Sequence, residues 1–177
     1  SVTAFGSLNT GSMVFIKKLT ASSSSTLSFV NGSSDVVLDS TYKEYIFTFK
    51  NIHPATDQVQ LKAGFRDGST DYDATKTTTT FYAYHKEDDS ATALSYDTGA
   101  DLAQSTGAQV VLSQMGNDND QNSSGYLRLF NPSSTTFVKH FIGRASVCMD
   151  ADAIVDWYVS GYCNVTTAID AVQFSMS

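Results

Sequence analysis

Three polar clusters in this sequence have residue types and spacing that could do chemistry. The stretch GNDNDQNSSGYLRLFNPSSTTFVKHF, Gly116 to Phe141, opens with Asn117, Asp118, Asn119 and Asp120 side by side. A Ca²⁺ site draws on several such oxygens converging on one hard cation, but this run lacks the DxDxDG spacing and the closing Glu of an EF-hand. Asn and Asp serve turns equally well, because they tolerate left-handed backbone and bond their own amides. The turn reading is preferred, with NPSS at Asn131 to Ser134 as the return turn, and Asp118 and Asp120 are expected not to share a cation. DGSTDYD, with Asp67, Asp71 and Asp73, and EDDS, with Glu87, Asp88 and Asp89, offer further carboxylates. Such groups could hold a cation or work as an acid–base pair in glycoside cleavage; solvated loop acids are commoner.

Nucleophilic and cofactor chemistry find less support. The histidines are His53, His85 and His140, the last two inside strand-like runs where hydrogen-bonded sheet histidines are the plainer reading. No GxSxG elbow, HExxH, CxxC, P-loop or GxGxxG occurs, so the expectation is a non-enzyme with no catalytic residue, no cofactor and no metal. Cys148 and Cys163 lie on neighbouring strand candidates, which is compatible with a disulfide and equally with two buried thiols. The sequons at Asn31, Asn122 and Asn164 carry no weight in a chain this rich in Asn, Ser and Thr. Aromatic faces can stack on sugars, and Tyr72, Tyr82, Tyr84, Tyr126, Trp157, Tyr158 and Tyr162 include the residues for such a platform, although alternate ones should be core. The candidate contacts for a glycan or a neighbouring subunit are Tyr72, Asp118, Asp120 and Tyr126.

The elements that would position these residues read as strands. Alternating or β-branched runs occur at Met13–Leu19, Thr26–Val30, Tyr42–Lys50, Gln58–Phe65, Thr77–Lys86, Leu94–Tyr96, Ala108–Met115, Gly125–Phe130, Thr136–Ala145, Ile154–Cys163 and Ala168–Met176. Asn31-Gly32 supplies the positive φ of a tight turn. Tyr45, Phe47 and Phe49 share one face of their strand, as do Val59, Leu61, Ala63 and Phe65 of the next. No segment has helical periodicity, and about ten short strands at regular spacing predict an all-β antiparallel sandwich or barrel. Phe47, Phe49, Leu61, Phe81, Leu127, Leu129 and Trp157 are expected to be buried. Residues 1–12 are expected to form an N-terminal arm, extended or in intersubunit contact, and 13–177 one β-sandwich domain.

Composition agrees. The chain has 177 residues, enough for one core. Its charged fraction of 16% is below the roughly 25% usual for soluble domains, leaving a hydroxyl-rich surface that suits β-structure. A net charge of −7 disfavours nucleic acid and anionic membranes as partners. No apolar run approaches the ~18 residues of a membrane span.

FIKKLTASSSSTLSFVNGSSDVVLDSTYKEYIFTFKNIHPATD, Phe15 to Asp57, resembles a family of small proteins recurring in the genomes of marine tailed bacteriophages, of cyanophage and pelagiphage type. The Gly116–Phe141 stretch and the final AIDAVQFSMS fit the same pattern. The resemblance implies a virion component: a jelly-roll-like β-sandwich on the particle surface, as a head (capsid) decoration or in a tail fibre or appendage. It also implies other virion proteins as partners, a homo-oligomer with a trimer favoured, and a host surface glycan as an alternative ligand. No catalytic residue comes with it. Members of the family continue past FSMS into a last strand, so a neighbouring subunit supplying that edge partner, or a cut or disordered terminus, is expected.

Overall fold

A computed structural model describes residues 13–177, and the arm expected at 1–12 lies outside the described residues. Ten antiparallel strands and no helix make up the described chain: β1 (Thr26–Val30), β2 (Glu44–Ile52), β3 (Val59–Arg66), β4 (Lys76–Lys86), β5 (Thr92–Tyr96), β6 (Gln109–Met115), β7 (Ser123–Phe130), β8 (Lys139–Met149), β9 (Ala153–Cys163) and β10 (Ala171–Met176). The all-β expectation holds. Met13–Leu19, read as a first strand, is the exception. It forms no ladder, and Met13 and Phe15 are 75% and 80% exposed. Apolar alternation by itself makes no strand when no neighbour offers its edge.

Hydrogen bonding links the ten strands continuously, but β6 meets β8 through the single pair Met115–Met149. On either side of that joint lie two layers, β1-β10-β3-β6 and β2-β7-β8-β9-β4-β5. Aromatic rings lock the layers face to face. Phe174 of β10 meets Phe47 and Phe49 of β2 at 5.5 and 5.0 Å, and Phe65 of β3 stacks on Phe141 of β8 at 4.9 Å.

Four strand pairs, β1·β10, β2·β7, β3·β6 and β4·β5, are nested within one another along the chain. Nested pairs distributed over two layers are what results from rolling up one long hairpin, the jelly-roll winding. The β8–β9 hairpin is an addition, inserted between β7 and β4 so that one layer has six strands.

Phe49, Leu61, Leu127, Leu129 and Trp157 are buried as expected, and Phe47 is half-buried at the contact between layers. Phe81 is not: it is 41% exposed. A strand has one parity, and on β4 the inward set is Lys76, Thr78, Thr80, Tyr82 and Tyr84. Tyr82 stacks on Trp157 at 5.7 Å, which outweighs the burial of one phenylalanine. The same parity drives Lys76 inward to zero exposure, its ammonium 6.0 Å from the Phe65 ring centroid and bonded to the carbonyls of Ala74 and Thr106.

Candidate functional site: an aromatic and arginine row on the outer face

Register, not sequence proximity, builds the most distinctive surface of the described residues. Tyr96 of β5, Phe81 of β4, Tyr158 of β9, Arg144 of β8 and Tyr126 of β7 are successive cross-strand partners. All point out from the six-stranded layer, in a row roughly 20 Å long at the usual strand spacing. Phe81 and Tyr158 stack in parallel at 4.6 Å, and the Arg144 guanidinium lies 5.0 Å from the Tyr158 ring centroid. Arg128 covers Tyr126 at 5.4 Å.

The arginines in and beside the row are paired. Arg144 donates Nε and Nη2 to the two carboxylate oxygens of Asp156 at 2.9 and 2.7 Å, and the Tyr158 hydroxyl donates to Asp156 Oδ2 at 2.8 Å. Arg128 donates to Glu44 at 3.2 Å. The Arg144 hydrogen bonds hold the Asp156 carboxyl below its ordinary 3.8, and the carboxylate in turn pushes the Tyr158 hydroxyl above 10.0. The next row adds Ile142, Arg128 and Ile46. The result is a partly exposed aromatic surface whose arginines are paired with carboxylates. It suits contact with another protein surface or the C–H face of a sugar.

Of the four contact candidates, only Tyr126 belongs to this row. Tyr72 packs on the other layer, so close to Gly64 that a Cβ there would lie 2.8 Å from the Tyr72 Cβ. Asp118 and Asp120 are exposed in the β6–β7 loop, which folds on itself: Gln121 accepts from the Asp118 amide at 3.2 Å and donates to the Met149 carbonyl at 3.3 Å. Asn117 ties the loop to Asp57 and Ala55. No group of three or more His, Cys, Asp or Glu side chains fit to hold a metal occurs among the described residues. His85 contacts Asp89 at 3.0 Å in solvent, and His140 lies exposed beside Tyr162.

Phe81, Arg144, Asp156 and Arg128 were not among the candidates. The alternation of Trp157 and Tyr158 already marked one aromatic of β9 as outward. Which residues would join it depended on register with β4 and β8. No family model matches the chain, and neither a curated protein nor a solved structure matches it.

Proposed function

We propose that this chain is a non-enzymatic structural subunit of a tailed-bacteriophage virion, displayed on the particle as a head decoration or a tail fibre or appendage component. The observation that carries the reading is the outer face around Phe81, Tyr158 and Arg144, a partly exposed aromatic surface on which Arg144 is paired with Asp156. Such a face fits a macromolecular neighbour better than it fits a small substrate, which concave pockets enclose. The resemblance of Phe15–Asp57 and Gly116–Phe141 to phage proteins supports the particle as the setting. High-resolution imaging of particles purified from the phage that encodes this chain tests it. Many symmetric copies on the shell make it a decoration, a few at the tail make it an appendage, and no copies on the particle would end the proposal.

The stacked Phe81–Tyr158 pair beside Arg144 and Asp156 favours a second reading, a host-glycan contact on the same face. Aromatic planes take sugar C–H groups while the paired charges offer hydrogen bonds to hydroxyls. A glycan array probed with the natural chain and with Phe81→Ala decides it: binding lost in the variant supports the reading, and no binding by either chain removes it.

A further inference from the structure

β5 closes the six-stranded layer, and its free side has a hydrogen-bonding pattern that matches itself. The Asp97 amide donates to the Thr80 carbonyl and the Lys86 amide to the Ala91 carbonyl. In an antiparallel ladder hydrogen-bonded pairs alternate, so Ser95 and Ala93 exchange bonds with Tyr82 and Tyr84. The backbone groups of Thr92, Leu94 and Tyr96 therefore point away from β4. Among the described residues no strand pairs with that side.

These positions are symmetric about Leu94. A second copy related by a twofold axis through Leu94 places Leu94 opposite Leu94 and Thr92 opposite Tyr96, so each outward donor and acceptor meets its complement. Three hydrogen-bonded pairs at two bonds each give about six backbone hydrogen bonds. The side chains fit as well. Leu94, 76% exposed, packs on its own copy, and Tyr96, 50% exposed, covers Thr92.

The sequence of β5, TALSY, has none of the charges, prolines or bulges that usually protect an edge. β2, at the other edge of the layer, carries Glu44, Lys50 and a register shift between Phe49 and Ile52. β1, an edge of the other layer, also lacks charge, but beyond Thr26 its residues are half-buried. We propose that β5 is a self-pairing edge, through which two copies of this chain join their six-stranded layers into one and set their aromatic rows on the same face. The inference rests on the β5 backbone and does not depend on the virion reading.

Acidic groups set its salt response. Glu87, Asp88 and Asp89 precede β5 and Asp97 follows it, so like charges approach across the twofold and each chain brings a net −7. Salt screens that repulsion. Analytical ultracentrifugation of the full chain over a concentration series should show a monomer–dimer equilibrium that tightens with added salt, and Leu94→Lys should weaken it at least tenfold. In a Cys148→Ser background, Leu94→Cys should give a disulfide-linked dimer on mild oxidation, since the Cα separation of about 5.5 Å in a hydrogen-bonded pair suits that bond. Thr79→Cys, outward on the neighbouring strand, should give none. A full chain that stays monomeric at every concentration, or a dimer or trimer that Leu94→Lys leaves intact and Leu94→Cys does not cross-link, overturns the proposal.

Discussion

At the scale of single residues, the buried row Lys76–Cys163–Lys139 runs across β4, β9 and β8 with no accessible surface at any of the three. Lys139 bonds the Val165 carbonyl at 2.8 Å, and no carboxylate lies within ion-pair distance of either ammonium among the described residues. Burial pushes the Cys163 thiol up to about 12 against the pull of the two lysines, and lowers Lys76 below 10.5. An unfolded Lys76 keeps its proton up to 10.5 while the folded one releases it earlier. Between those points the unfolded state binds more protons, so this residue makes stability rise with pH. Lys76→Met should stabilise the fold by roughly 1–3 kcal/mol at neutral pH, the scale of an incompletely compensated polar burial. Its advantage should shrink as pH approaches 10.5, read from urea unfolding at a series of pH values; an advantage that does not change with pH would contradict the assignment. Gly161 shows the opposite constraint. A Cβ there would lie 2.5 Å from Thr78 Cγ2 and 2.9 Å from Phe141 Cζ, so Gly161→Ala should cost about 1–3 kcal/mol in thermal unfolding. An unchanged midpoint would mean that Thr78 and Phe141 yield freely.

At the scale of elements, parity decides what each residue can do. Phe81 and Tyr82 are adjacent, yet the first pairs with Tyr158 on the outer face and the second with Trp157 beneath it. Phe81→Ala should change stability by no more than about 1 kcal/mol, as expected at the surface. Trp157→Ala, removing a side chain 2% exposed, should cost about 3–5 kcal/mol. Equal losses in the two variants, measured by chemical denaturation, would show that β4 has the reverse parity. The alternation in Tyr45–Phe49 and Val59–Phe65 was legible because each strand has one strongly apolar face. β4 was ambiguous because aromatics stand on both of its faces, and only stacking on β9 separates them.

At the scale of the molecule, the ladder answers the question left open by the two cysteines. Cys163 lies opposite Lys139, nine residues along β8 from Cys148, a separation of roughly 30 Å at the usual strand rise. Both are free thiols. A reducing agent should leave the melting temperature of the folded chain unchanged, and a drop on reduction would mean that a disulfide forms after all. The nested pairing also explains why the first and last strands are neighbours: β1 and β10 are the outermost pair of the rolled hairpin. The added β8–β9 hairpin has a functional consequence, since it widens one layer and supplies Arg144, Asp156 and Tyr158 to the candidate surface.

The ten strands, to within a few residues, and the all-β class were legible in the sequence, because two-residue alternation and turn chemistry are local properties carried by neighbouring residues. The sequence also marked Asp118 and Asp120 as turn residues, and their loop does close on its own Gln121. Strand pairing in three dimensions left Met13–Leu19 without a partner, turned Phe81 to solvent while burying Lys76, and set Tyr126 apart from Tyr72. Each of these depends on which strands are neighbours and in what register. Residues as distant along the chain as Phe81 and Arg144 become parts of one surface only when β9 pairs with both of their strands.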